Sequence, residues 1–113
     1  MIEENRPWGN YIVLLDDKTC KVKKITIHAG QSPSYQYHFK RNEHWIVTKG
    51  KGVLKLNDED RELKEGDVIF IPKLSKHQFR NVSDTDLEFI EIQTGEYFGE
   101  DDIVRLEDKY GRM

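Results

Sequence analysis

The chain has 113 residues, 36% of them hydrophobic and 35% charged, with a formal net charge of −3; one domain over residues 1–113 is expected, with a core that needs no disulfide or metal merely to fold. The acid excess and the lack of a Lys/Arg run argue against nucleic-acid binding. No apolar run reaches membrane-spanning length, MIEENRPWG lacks the order of a signal peptide, and the single Cys20 suits a reducing compartment, so a soluble cytoplasmic protein is expected.

In chain order, Tyr11 to Leu15 (YIVLL) is apolar and rich in β-formers. Lys24 to His28 alternates polar and apolar with period two. His44 to Thr48 (HWIVT) is β-branched and aromatic. Gly50 and Gly52 read as a turn before Val53 to Leu56, and Asn57 to Asp60 and Gly66-Asp67 as two more. Val68 to Ile71 is nearly all apolar, as a strand buried on both faces would be, and Pro72 stops it. Leu87 to Gln93 (LEFIEIQ) alternates again. Short strands at such intervals predict an all-β sandwich or barrel. In the tail, Gly99 to Asp102 precedes Ile103, Leu106 and Tyr110 at helical spacing. Acids at its start suit a helix dipole and Gly111 is a stop, so a short C-terminal helix packed on the barrel is expected.

Gln36 and His38, two apart on a strand, point to the same face. Glu43 follows after room for a turn, and His77 lies beyond Pro72. Two imidazoles, a carboxylate and an amide oxygen make a mixed N/O set for one divalent ion, with zinc the first candidate and Mn, Co, Fe, Ni or Mg the others.

These residues resemble the two motifs of the cupins. Gly30, Gln36, His38, Glu43 and Gly50 fall on the first motif without insertion, with Gln36 in place of its first histidine. Gly66, Pro72, His77 and Asn81 fall on the second, with Leu74 where a glycine is expected. RPWGNY (6–11), KVKKITIHAG (21–30), RNEHWIVTKG (41–50), FIPKLSKH (70–77) and the tail from Ile90 to Arg112 look like the C-terminal domain of type II mannose-6-phosphate isomerases. Lys40 stands where that family typically has a histidine. The resemblance spans Arg6 to Arg112. It implies a cupin double-stranded β-helix, a jelly-roll barrel, holding one divalent metal, and an isomerase domain without the guanylyltransferase domain that commonly precedes it. By fold analogy it also implies a homodimer, with Leu14, Ile90 and Ile92 on an outer face.

The implied reaction moves a proton between C1 and C2 of an opened sugar phosphate, mannose 6-phosphate to fructose 6-phosphate. It needs a Lewis acid, a base and a phosphate anchor. Arg41, Lys40 and Arg105 are the candidate cations for the phosphate, Arg41 first among them, while Arg105 reads slightly better as the partner of a helix acid such as Asp101 or Asp102. Glu91 shares its parity with Phe89 and Gln93, so an inward carboxylate with a raised pKa is the leading base; Asp101, Asp102 and Lys76 are the others. His44, next to Glu43, is expected to face away. Competing readings are another metal-cupin enzyme acting on sugars or nucleotide sugars, and a non-catalytic sugar or metabolite binder on the same barrel.

Overall fold

The computed structural model describes residues 2–112, so Met1 and Met113 of the expected 1–113 domain lie outside the described residues. The strands run β1 (Ile2–Arg6), β2 (Gly9–Asp16), β3 (Cys20–Ile27), β4 (Tyr35–Tyr37), β5 (Arg41–Lys49), β6 (Lys51–Leu56), β7 (Glu59–Lys64), β8 (Val68–Ile71), β9 (His77–Arg80), β10 (Leu87–Gly95) and β11 (Val104–Glu107). A first sheet has the order β1-β2-β3-β10-β5-β8 and a second the order β11-β4-β9-β6-β7. The paired strands are antiparallel, and the two sheets enclose a shared core. The all-β expectation holds.

Strict alternation decides which side chains enter the barrel. On β5, Arg41, Glu43, Trp45 and Val47 are buried while His44, Ile46 and Thr48 are exposed. On β10, Leu87, Phe89, Glu91 and Gln93 are buried, and Lys23, Ile25 and Ile27 are their counterparts on β3. Register then sorts the interior into two ends. Leu87 pairs with Ile27 and Phe89 with Ile25, whereas Glu91 pairs with Lys23 and Gln93 with Glu43. One end is therefore an apolar floor, with Ile27, Leu54 and Leu87 fully buried. Each such side chain contributes about 1.5–3 kcal/mol by leaving water. Trp45 caps the floor, stacked on Phe79 at 5.4 Å between centroids and tilted on Phe89 at 4.8 Å. The other end is polar, and it carries the site.

Two glycines have steric reasons. Gly50 sits at φ 80° between β5 and β6, where a Cβ would also meet the Asp86 carbonyl oxygen at 2.7 Å. At Gly52 a Cβ would meet the Phe79 ring at 2.7 Å and Leu87 at 2.8 Å.

Two expectations are corrected. The tail forms no helix: it is strand β11, with Val104 opposite Tyr37 and Arg105 opposite Gln36. A helix of two turns is marginal alone, the β-branched Ile103-Val104 pair favours a strand, and β4 offers an open ladder. Asp102 does not start a helix either; its carboxylate accepts from the Phe39 and Lys40 amides at 3.1 and 2.9 Å. Strand β8 is not buried on both faces. Ile69 and Ile71 face the core, but Val68 is 69% and Phe70 50% exposed, because β8 is the edge of the first sheet and nothing among the described residues covers its outer side. The Asn57–Asp60 turn is narrower than expected: only Asn57 and Asp58 turn, both at positive φ, and Glu59 already pairs with Leu56.

Candidate metal centre

His38, just after β4, His77, first residue of β9, and Glu43 on β5 converge from both sheets. All three are buried, and one donor atom from each lies within 4.8 Å of the others. His38 Nδ1 lies 2.6 Å from the Asp102 backbone oxygen, and His77 Nδ1 lies 3.0 Å from that of Ser75. A carbonyl can only accept, so each Nδ1 carries the proton and each Nε2 turns a lone pair inward. His77 Nε2 is buried with no hydrogen-bond partner, an orphan that a cation would satisfy.

Glu43 completes the set. Its Oε1 accepts from Trp45 Nε1 at 3.0 Å and its Oε2 from Arg41 Nε at 3.0 Å. Burial alone would raise its pKa, but the neighbouring His77, His38 and Arg41 outweigh that and hold it well below the usual carboxylate range. Burial pushes His77 below its ordinary value, keeping the imidazole neutral as a ligand must be. Two neutral imidazoles and an ionised carboxylate fit zinc or another divalent ion of its class. Gln36 lies one strand away, opposite His77 in register, and lines the same cavity; its Oε1 accepts from Ser34 Oγ at 2.7 Å.

The cavity opens to solvent, and the centre of a water-sized sphere can reach about 90 Å³ of it. It also receives Glu91, Arg41, Arg105 and Lys23. Burial first and Glu43 second push Glu91 up to about 7, against the pull of Lys23, Arg41 and Gln93. The expected inward parity of Glu91 is thus observed. Arg41 is buried and tied to Glu43, with Nη1 left without a partner. Arg105 does not pair with Asp101 or Asp102; it lines the cavity. Lys40 is not brought to the site: it is exposed outside the cavity, with its Nζ 5.4 Å from the Tyr97 ring. Lys76 is likewise on the surface, paired with Asp58 at 2.7 Å. His44 faces out, packed on Phe70 as its parity requires.

Lys23 and Glu100 belong to the site and carry no motif. Lys23 is buried, bonded to Glu100 and 4.1 Å from the Tyr11 centroid. Its parity with Ile25 and Ile27 is the signal that marks it as inward. Glu100 has no such signal, because it reaches in from a loop.

Residues 2–108 match the family described as Mannose-6-phosphate isomerase C-terminal. The chain belongs to that family. A Mannose-1-phosphate guanylyltransferase of Salmonella montevideo is 42% identical over 110 residues, covering 97% of this chain and 23% of that protein. The domain therefore spans about a quarter of the length of such a relative. Among solved structures, a protein with a double-stranded β-helix domain from Klebsiella pneumoniae superposes with a TM-score of 0.75 at 21% identity, covering 85% of this chain and 82% of that one. Pac13, described as a nucleoside dehydratase and solved from Streptomyces, superposes at 0.78 with 19% identity over 95% of this chain and 85% of that one. At these identities the likeness shows the fold alone, and the fold is the double-stranded β-helix of the cupins.

Proposed function

We propose that this domain is a metal-dependent sugar-phosphate isomerase that interconverts mannose 6-phosphate and fructose 6-phosphate through an enediol. The observation that carries the reading is that one cavity holds both the His38–Glu43–His77 cluster and a buried carboxylate, Glu91, pushed up to about 7. A divalent ion held by His38, Glu43 and His77, with Gln36 beside them, supplies Lewis-acid polarisation of the sugar's carbonyl and hydroxyl oxygens. Glu91 takes the proton from C2 and returns it to C1, while the hydroxyl proton on O2 passes to O1 across the enediol; near neutral pH Glu91 has both the proton-free form to start and the affinity to hold what it takes. Gln93 Nε2 holds its Oε1 and leaves Oε2 to carry the proton. Arg41 Nη1, unpartnered, donates to the oxygen on which negative charge develops. Trp45 and Phe89 wall the cavity on the floor side and keep water from the proton in transit.

A coupled assay on mannose 6-phosphate tests the reading, and no turnover with added Zn, Co, Mn or Mg would sink it. Binding without turnover under every metal condition would recast the domain as a ligand-binding one. The proposal includes a cytoplasmic location and a homodimer. Ile46, Val68, Phe70 and Ile92 are exposed on the outer side of the first sheet, in register across β10, β5 and β8, and a second copy would cover them. A monomer by light scattering removes the homodimer from the proposal.

A further inference from the structure

Five cations line the cavity: Arg6, Lys23, Arg41, Arg105 and Arg112. Among the described residues only three carboxylates do, Glu43, Glu91 and Glu100, in a chain that is acidic overall. The interior therefore favours an anionic ligand. Four of the cations are engaged. Arg6 reaches Glu4 at 3.5 Å and the Tyr11 hydroxyl at 3.1 Å. Lys23 is bonded to Glu100, Arg41 to Glu43 and His38, and Arg112 to Asp108 at 2.7 Å. Arg105 stands apart: no carboxylate pairs with it among the described residues, and its buried Nε has no hydrogen-bond partner. A buried guanidinium nitrogen without an acceptor is costly unless a ligand provides one.

Register gives Arg105 its place. It lies opposite Gln36, and Gln36 lies opposite His77. Arg105 is thus two strand spacings, about 10 Å along the backbone plane, from the histidine of the metal cluster. We infer that Arg105 anchors the phosphate of a phosphorylated sugar whose carbonyl end lies at His38, Glu43 and His77. A hexose in its open-chain form, phosphorylated at the end away from the carbonyl, has that reach, while an unphosphorylated sugar leaves Arg105 unsatisfied. Arg41, with two of its nitrogens committed beside Glu43, serves the reacting end, and Lys40 takes no part. The inference rests on the sugar-phosphate reading, but it concerns binding and needs no turnover.

Calorimetry on the intact chain, zinc-loaded and with chelator, tests it with mannose 6-phosphate, mannose and inorganic phosphate. The wild type binds mannose 6-phosphate more tightly than mannose, and added salt weakens phosphate binding. Arg105→Gln loses on the order of 10- to 100-fold of the mannose 6-phosphate affinity and leaves mannose binding unchanged. Arg105→Lys, which keeps the charge but not the fork, falls between, and Lys76→Gln, at a surface lysine outside the cavity, stays within about threefold of wild type on the same scale. Equal affinity of wild type and Arg105→Gln for mannose 6-phosphate would overturn the inference, as would an equal loss for mannose or no phosphate binding by the wild type. Should Arg105→Gln not fold, Arg105→Lys and the salt dependence decide. Arg105-dependent phosphate binding in a protein without isomerase activity leaves the anchor standing and removes only the isomerase reading.

Discussion

His38 Nε2 and Glu43 Oε2 stand 3.2 Å apart. With the His38 proton fixed on Nδ1, both atoms are acceptors, and two acceptors this close need a cation between them. Arg41 Nη2 fills that need here, 3.1 Å from the imidazole and 3.0 Å from the carboxylate. A metal ion binding at His38 Nε2 displaces that hydrogen bond, so metal and arginine compete for one lone pair. The orphaned His77 Nε2 favours the metal, since the arginine does not satisfy it. Zinc at 100 times its Kd is therefore expected to stabilise the fold by about 2.7 kcal/mol, on the order of 10 °C in Tm. His77→Ala removes the increase. A melting curve of the wild type indifferent to zinc, manganese and cobalt would refute the site.

Glu43→Gln separates the fold from the metal. It leaves Arg41 buried without its counter-charge, and breaking such a pair costs about 3 kcal/mol or more. Urea unfolding of the metal-free variant should show this loss. A midpoint equal to wild type would mean that the Arg41–Glu43 contact contributes nothing.

Leu74 keeps a glycine's conformation without being one. Its φ is 72°, its amide donates to the His38 carbonyl at 2.8 Å, and its side chain is 57% exposed. The second-motif loop therefore holds its shape around His77 despite the departure, at the strain of a left-handed leucine. Leu74→Gly relieves roughly 1–2 kcal/mol of strain, partly offset by the freer unfolded chain, for a net gain of about 0.5–1 kcal/mol. Denaturant titration checks it, and a destabilised variant would show that the leucine makes contacts that outweigh the strain.

The motif residues were legible in the sequence because strand parity and motif spacing constrain them together. Period two alone puts Arg41, Glu43 and Trp45 on one face and His44 on the other, as found. The tail was misread because Ile103, Leu106 and Tyr110 fit a helical period by chance, and what decides their conformation is the distant open edge of β4. Only Glu59 and Asp60 of the charged β7 (EDRELK) fall in the expected Asn57–Asp60 turn, and the strand itself was not legible: it is an edge strand whose pairing with β6 comes from the Asn57-Asp58 turn, and only Leu63 faces inward. Lys23 was missed because a lysine in an alternating strand reads as solvent-facing until the registers of β3 and β10 place it opposite Glu91.

Lys40 lies outside the cavity, so its replacement of the family's histidine should not touch the chemistry. Its amide, not its side chain, is what the Asp102 carboxylate holds. Lys40→Ala is expected to change ligand affinity by less than about twofold, the range of surface substitutions. A tenfold loss in calorimetry or in the isomerase assay would place its ammonium in the ligand path after all.

Glu91 gives the domain a pH signature. Its carboxyl is pushed from an ordinary 4.5 up to about 7, so between these values the folded chain holds a proton that the unfolded chain has released. The sign follows: Glu91's contribution to stability is complete below about pH 4.5 and is lost as pH rises through about 7, a change of roughly 3 kcal/mol. Glu91→Gln, which cannot titrate, should flatten the stability curve of the chelated protein between about pH 5 and 8 relative to wild type. The same group ties stability to activity, because a base works when proton-free: kcat/KM should climb through the interval in which the fold loses stability, with the midpoint displaced downward by a bound cation. Parallel curves for wild type and Glu91→Gln would show that Glu91 does not titrate in this range, and the proton carrier would then have to be another group in the cavity.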